Sequence, residues 1–170
     1  FTLFGKEIST DDAQVEFKNL KLTETDIPAL RQALAIMTGC KAFILENCGL
    51  DNETMAAIRA DYPNTELVWK IQFGKYSAMT NAETIRAVYN VFDDTCENLK
   101  YCWRVKYMDI GHNETLTDLS FVGYMPDLEI LIASGSAVKE LPEGIVATTE
   151  ERFYRSMQFL EYLSKSLFVI

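Results

Sequence analysis

The stretch CKAFILENCGL, from Cys40 to Leu50, decides the predicted fold. Phe43 and Leu45 are separated by one residue, which places both side chains on the same face of a short strand. Cys48 comes three residues later, after a turn. A polar group there can hydrogen-bond the backbone groups that a buried turn leaves without partners. The spacing therefore predicts a buried strand followed by a tight turn.

The same spacing occurs twice more, which predicts a stacked solenoid whose units bury one another. Strand separations of 28, 24 and 23 residues fall in the range of about 20–29 expected for such repeats. A gap of 41 residues between Trp69 and Ile110 predicts a degenerate repeat or an insertion within 74–98. The residues that repeat the spacing are Val105, Met108, Ile110 and Asn113, with Leu116 one residue late, and then Leu128, Leu131, Ala133, Ser136 and Val138.

This pattern resembles the leucine-rich repeat family, and Tyr107–Leu119 is similar to the Asn-containing repeats of bacterial surface and secreted members. The resemblance implies an α/β fold: a short right-handed solenoid with a parallel sheet on its concave side and helices and irregular coils on its convex side. It implies a structural ladder of Cys48, Asn113 and Ser136. The segments that carry it are Phe43-x-Leu45-x-x-Cys48-x-Leu50, Met108-x-Ile110-x-x-Asn113, Leu131-x-Ala133-x-x-Ser136-x-Val138 and, more weakly, Val15-x-Phe17-x-x-Leu20-x-Leu22.

We expect a single domain over residues 1–170. Residues 145–170 are predicted to cap it, with a helix from Glu150 to about Ser166; the alternative is a final degenerate repeat. A strand is predicted over Glu66–Phe73, followed by either a hairpin at Gly74–Lys75 or a loop. Helical spacing predicts helices after Asp26, over Glu53–Ala60, and from about Thr80 to Phe92.

Composition indicates a folded domain that binds neither nucleic acid nor a membrane interior. Apolar residues make up 48% of the chain, too many for a disordered segment. The net charge is −9, and the sixteen basic residues are scattered among carboxylates rather than gathered against phosphates. No apolar run approaches the roughly 18 residues of a transmembrane helix. The first residue is Phe1 rather than Met, which we expect of a processed or trimmed product.

The sequence offers little for catalysis or metal binding. Four cysteines are predicted to be free thiols, with Cys96–Cys102 the one pair worth testing for a disulfide. Their spacing fits no zinc site, and we expect no cofactor. The single histidine, His112, lies in a predicted turn without a motif that would orient it as a base. No phosphate-binding loop, dinucleotide fingerprint or hydrolase motif is present.

The sequence therefore favours the binding of a partner over catalysis, because the outward strand positions carry apolar side chains where an uncovered sheet would carry polar ones. Tyr107 is the type of residue that anchors interfaces. We predict a non-enzymatic module for a protein or peptide partner, secreted or at a bacterial cell surface. The alternatives are a structural repeat fragment without a ligand site and, less favoured, a hydrolase-like enzyme using His112. The predicted contact residues are Glu16, Ile44, Glu46, Val68, Lys70, Tyr107, Asp109, Ile130, Ile132 and Ser134.

Overall fold

The computed structural model describes residues 1–139, Pro142 and the backbone of Leu167–Val169. The chain divides into two compact units, Phe1–Lys70 and Ile71–Ile170, where the sequence led us to expect one domain. Within the described residues the fold is mixed α/β, with three α-helices and three small sheets.

The first unit is built on three parallel strands. In register, Phe17 lies opposite Leu45, and Leu45 lies opposite Trp69. A short antiparallel pair precedes them at the amino terminus. The elements in chain order are β1 (Thr2–Leu3), β2 (Lys6–Glu7), β3 (Gln14–Lys18), a 3-10 helix (Glu24–Asp26), α1 (Ile27–Ile36), β4 (Ala42–Glu46), α2 (Asn52–Asp61) and β5 (Glu66–Phe73), which continues past Lys70.

Alternation along these strands decides which side chains fill the core of the first unit. Burying one Val, Leu, Ile, Met or Phe side chain contributes about 1.5–3 kcal/mol to stability. Helix α2 begins where the Asp51 carboxylate accepts a 2.7 Å hydrogen bond from the backbone N–H of Thr54, a cap worth about 1 kcal/mol. The buried side chains from the strands and helices are Val15, Phe17, Leu30, Ala33, Leu34, Phe43, Leu45, Met55, Ile58, Leu67 and Trp69.

The second unit contains another set of three parallel strands, offset from one another by 23 residues. Ile85 lies opposite Met108, and Met108 lies opposite Leu131; all three side chains are buried. The remaining elements, in chain order, are β6 (Tyr76–Met79), β7 (Thr84–Arg86), α3 (Asp93–Cys96), a 3-10 helix (Glu97–Tyr101), β8 (Tyr107–Asp109), a 3-10 helix (Ser120–Tyr124), β9 (Ile130–Ile132) and β10 (Leu167–Val169).

The prediction of a leucine-rich-repeat solenoid with one continuous parallel sheet is wrong. Strands β3, β4, β5 and β6 form one four-stranded sheet, and β7, β8, β9 and β10 form another. The physical reason lies at the strand edges, since each edge accepts one neighbour. β6 returns after Gly74–Lys75 and takes the free edge of β5, and β10 runs antiparallel beside β9. Leu45 therefore belongs to a different sheet from Met108 and Leu131.

The prediction of a helix from about Thr80 to Phe92 is also wrong, because β7 occupies part of this segment. Ile85 and Ala87 are both buried, with exposed Arg86 between them, which is the alternation of a strand. The helical spacing of Ile85, Val88 and Phe92 therefore does not decide the structure here. A strand return after Gly74 is confirmed by β6. The predicted capping helix from Glu150 to Ser166 lies outside the described residues.

Candidate interaction surface

The outward side chains of β3, β4 and the first part of β5 form what we call the first face. A row of charges crosses it in register. Lys18 Nζ lies 3.4 Å from Glu46 Oε2, and Lys70 Nζ lies 3.2 Å from Glu46 Oε1. Lys18 also lies 3.0 Å from Glu16. Hydrogen bonds from Lys70 and Lys18 lower the pKa of Glu46. The predicted contact residues Glu16, Glu46 and Lys70 thus compensate charges within this chain.

The apolar members of the first face offer little free surface. Ile44 is half-buried, and Val68 is 0% exposed. The expectation that Val68 contributes exposed apolar surface is therefore wrong. Its outward position in the strand is as predicted, but the side chain is covered, and alternation along one strand carries no information about what packs over its outer side.

The outward side chains of β7, β8 and β9, together with Ser134, form what we call the second face. Tyr107 lies opposite Ile130 in register, and Asp109 lies opposite Ile132. All four of these side chains are half-buried, and directly opposed residues on one face of a sheet contact each other. The second face therefore carries a continuous group of one aromatic and two aliphatic side chains, part of which remains exposed.

The polar members of the second face contact neighbouring groups. The Arg86 guanidinium lies 5.4 Å from the centroid of the Tyr107 ring, and its Nη2 lies 3.4 Å from the Tyr107 hydroxyl. Asp109 Oδ1 accepts a 3.2 Å hydrogen bond from the backbone N–H of Gly111. Ser134 is half-buried two residues after the end of β9. Arg86 thus contacts both the ring and the hydroxyl of Tyr107.

Five of the parallel strands, β3, β4, β7, β8 and β9, are followed within three residues by a residue with left-handed backbone. In the first unit these residues are Asn19 (φ 55°) and Asn47 (φ 54°). In the second unit they are Tyr89 (φ 69°), His112 (φ 56°) and Gly135 (φ 70°). A shared backbone bond supports the equivalence, since the N–H groups of Asn19, Tyr89 and His112 each donate to the carbonyl just before the counterpart on the next strand. We call these five residues the turn residues.

The turn residues differ in how well they suit this backbone. Asn adopts the left-handed region readily, whereas a bulky residue such as Tyr there is an outlier. The Tyr89 ring stacks on the His112 imidazole, with centroids 5.2 Å apart and an interplanar angle of 25°. A Cβ atom at Gly135 would come within 3.3 Å of His112 Nδ1. Strained residues of this kind are concentrated at functional sites.

An open cleft of about 420 Å³ lies beside the Tyr89–His112 stack. Two of its aromatic side chains are well exposed, Tyr89 at 55% and Phe92 at 46%. Its lining contains one carboxylate, that of the exposed Glu114, and no Lys or Arg. The lining residues are Tyr89, Asn90, Val91, Phe92, His112, Asn113, Glu114 and Thr115.

Asn113 is 2% exposed and lies beneath this cleft with its amide fully engaged by backbone. Its Nδ2 donates to the carbonyls of Ala87 at 3.0 Å and Ile110 at 2.7 Å, with a longer contact of 3.3 Å to Gly111. Its Oδ1 accepts a 2.9 Å bond from the N–H of Val91. These bonds link the turn after β8 to the segment after β7, which is the role expected of a ladder residue.

The other two ladder residues make weaker connections. Cys48 Sγ lies 3.5 Å from the carbonyl of Phe17 and 3.4 Å from that of Glu46, so it reaches the neighbouring strand through a weak thiol donor. Ser136 Oγ donates to the carbonyl of Ala133 at 2.7 Å, a bond within its own turn. Asn113 is therefore the strongest connection of the three.

Asp93, at the start of α3, follows the cleft residue Phe92 and bonds to the loop after β8. Its Oδ1 accepts bonds of 2.8 Å from the Thr117 N–H and 3.0 Å from the Asp118 N–H, and its Oδ2 accepts a 2.6 Å bond from the Thr117 hydroxyl. Burial alone would raise the pKa of Asp93, but these hydrogen bonds outweigh it and lower the pKa. The carboxylate holds α3, directly after Phe92, to the loop that follows β8.

Among the described residues, the His112 ring stacks on Tyr89 and has no hydrogen bond to a nucleophile or a carboxylate, and no group of three His, Cys, Asp or Glu residues is arranged to hold a metal. The four cysteines are free and buried, including Cys96 and Cys102. Burial raises the pKa of Cys96 to about 12, which keeps it a thiol at neutral pH.

Neither Tyr89 nor Phe92 is among the contact residues that the sequence predicts. Phe92 ends the helix predicted from about Thr80, and in the structure its side chain is exposed. A sequence signal exists for Tyr89 alone, and it is the 23-residue offset. Subtracting 23 from His112 gives Tyr89, and adding 23 gives Gly135.

Comparisons with protein-family models, with curated proteins and with solved structures find no significant match to this chain. In the part of the chain that the structure describes, no helix has the length and apolar character needed to cross a membrane.

Proposed function

We propose that this chain is a non-enzymatic module that binds a protein or peptide through the second face. The observation that carries the proposal is the contact row of Tyr107, Ile130 and Ile132, which are apolar, adjacent and only half-buried. Partly exposed apolar side chains in a continuous group are typical of interaction sites. Tyr is among the residues that most often dominate binding energy, and this ring already contacts Arg86 on the same face.

The first face supports the proposal by contrast. Its charged residues are paired with one another, and Val68 is covered. A partner docking there would have to separate Lys18 and Lys70 from Glu46, or replace those ion pairs with its own. On the second face the charged residues are Arg86 on β7 and Asp109 on β8, and the next strand, β9, presents Ile130 and Ile132 outward without an ion pair to separate. The expected location at a bacterial surface stays a prediction, which fractionation of the source cells would check.

The test uses random peptides displayed on phage, selected against the whole chain. The binding of an enriched peptide is then measured by titration calorimetry against matched variants. Tyr107→Ala should weaken it by about tenfold or more, as expected at an anchor residue. Ile130→Thr and Ile132→Thr, which keep the β-branched shape, should each weaken it several-fold while the thermal midpoint changes little.

The control is Ile44→Thr, the same exchange at a half-buried isoleucine of the first face. This variant should bind the peptide as the parent does. The proposal fails if no peptide is enriched, or if Ile44→Thr reduces affinity and Tyr107→Ala does not. Light scattering on the parent separates peptide binding from self-association, since the alternative of a structural fragment predicts oligomers.

A further inference from the structure

The cleft beside the Tyr89–His112 stack has the features of a pocket for a cation. Two rings, Tyr89 and Phe92, present exposed surface into an open space of about 420 Å³. The faces of aromatic rings attract cations because of their quadrupole. The charge of the lining has the matching sign, because the lining residues include one carboxylate, that of Glu114, and no Lys or Arg.

Other aromatic rings in the second unit already hold a cation from this chain. Lys75 lies 5.1 Å from the Tyr76 ring, Arg86 lies 5.4 Å from the Tyr107 ring, and Lys100 lies 5.2 Å from the Tyr101 ring. Over residues 71–139, no Lys or Arg lies over Tyr89 or Phe92. These two rings thus keep the acceptor surface that the chain fills with its own cations elsewhere.

We infer that this cleft receives an arginine side chain of the peptide partner, stacked on Tyr89 and Phe92 with Glu114 as its ionic partner. The inference rests on the proposed function in taking the ligand to be a peptide. The Tyr89 and His112 rings are inclined by only 25°, so they form a nearly flat stack that a planar guanidinium extends. A guanidinium also presents parallel N–H groups to a carboxylate, which the compact ammonium group of lysine does not.

The backbone explains why the Tyr89 ring is presented in this way. At the equivalent position the first unit has Asn19 and Asn47, whose side chains bond to each other at 3.3 Å and suit a left-handed backbone. Tyr89 adopts the same backbone against its preference, and Gly135 leaves the room that the His112 ring needs. The second unit thus carries a less favourable residue at this turn, and the gain is an exposed ring.

The test is a titration of the labelled chain with short capped peptides of alternating glycine and arginine, followed by amide shifts in 15N spectra at low ionic strength. Parallel titrations use lysine or citrulline in place of arginine; citrulline keeps the shape and removes the charge. The arginine peptide should produce saturable shifts at 89–92 and 112–115. The citrulline peptide should bind at least tenfold more weakly, and the lysine peptide should be intermediate.

The variants separate ring and charge contributions. Tyr89→Asn restores the residue type of the first unit, Phe92→Ala removes the second ring, and Glu114→Gln removes the charge. Each should weaken the arginine peptide by roughly two- to fivefold. Tyr124→Ala and Glu129→Gln, at an exposed tyrosine and an exposed glutamate outside the cleft, should leave affinity unchanged.

Equal binding of the arginine and citrulline peptides, equal binding of the arginine and lysine peptides, or unchanged affinity in Tyr89→Asn would overturn the inference. Its failure is distinguishable from that of the proposed function. If the binding of selected peptides depends on Tyr107 but not on Tyr89, binding at the second face stands and the arginine pocket is refuted. If the binding of an arginine peptide depends on Tyr89 and no peptide depends on Tyr107, the arginine pocket stands and binding at the second face is refuted.

Discussion

The two units use the same arrangement of three parallel strands and end those strands differently. In the first unit, charged side chains on the outward side of the strands form ion pairs centred on Glu46, and Asn19 and Asn47 occupy the turns. In the second unit the outward rows carry Tyr107 and two isoleucines, and the turns carry a tyrosine, a histidine and a glycine. The charged surface groups of the first unit pair with one another, whereas the second unit leaves aromatic and aliphatic side chains partly exposed.

The two units also differ in what their turns cost in stability. Asn in a left-handed turn costs little, whereas a left-handed backbone costs other residues about 1–2 kcal/mol. A strained turn residue persists only where surrounding bonds hold it, and in the second unit Asn113 supplies such bonds directly beneath His112.

The largest expected effect concerns the residues that tie the turns together. Asn113→Ala would leave several buried backbone groups without partners and should lower the free energy of unfolding by about 3–5 kcal/mol. Cys48→Ala removes weaker thiol bonds at the matching place in the first unit and should cost only about 1 kcal/mol. Urea unfolding of both variants measures this difference. Equal losses would show that the two units are held together in the same way.

Gly135→Ala should have the next largest effect. The backbone there is left-handed, and the new Cβ would approach the His112 ring, so we expect a loss of about 1–2 kcal/mol. Gly123→Ala is the control, because nothing lies within 4 Å of its added Cβ and its φ is not positive. Thermal unfolding of the pair checks the prediction, and a Gly135→Ala variant as stable as Gly123→Ala would contradict it.

Substitutions at Tyr89 should change the free energy of unfolding less, because relief of the backbone and loss of the stack on His112 act in opposite directions. Tyr89→Asn relieves the backbone and loses the stack on His112, so its free energy of unfolding should stay within about 1 kcal/mol of the parent. Tyr89→Val loses the stack and also puts a β-branched residue in a left-handed turn, so it should be less stable than Tyr89→Asn by about 1–2 kcal/mol. Denaturant midpoints decide this, and equal midpoints would contradict the role of backbone strain.

The smallest effects concern acid stability, for which one carboxylate with a lowered pKa is taken from each unit, Glu46 and Asp93. For Glu46 and Asp93 alike, the stabilisation is fully present above the pKa of the unfolded chain and is lost as the pH falls through the lower folded value. Glu46→Gln and Asp93→Asn should therefore lose less stability than the parent between pH 5 and pH 3. Urea midpoints at the two pH values test this, and an unchanged pH dependence would contradict it. Because Asp93 is exposed and Glu46 is only half-buried, solvent screening keeps each effect small.

Local pattern was enough to predict helix α2 and the parallel strands other than β7, and it failed where long-range packing selected the structure. The alternation over Glu66–Phe73 predicts β5 with its observed ends. The same kind of pattern at Ile85 was ambiguous, because Ile85, Val88 and Phe92 also fit a helix, and only pairing with Met108 selects the strand. The turn at Gly74–Lys75 allowed either a hairpin or a loop, so the sequence left open whether β6 would take the edge of β5.

The candidate site was predictable in part. Tyr107, Ile130 and Ile132 follow from alternation alone, and their outward positions are where the structure has them. The burial of Val68 depends on what packs over the sheet, which alternation along one strand does not report. Tyr89 becomes a candidate only when its left-handed backbone and its stack on His112 are known, since an exposed tyrosine in a loop is unremarkable by itself.

The most direct test of the central claim is an amide-shift map of the labelled chain bound to a phage-selected peptide. Partner contact on the second face predicts the largest shifts at 107–109 and 130–134, with residues 14–18 and 42–46 unchanged and the shifts at 107–109 lost in Tyr107→Ala. Shifts concentrated on 14–18 and 42–46, with the second face unperturbed, would contradict the account.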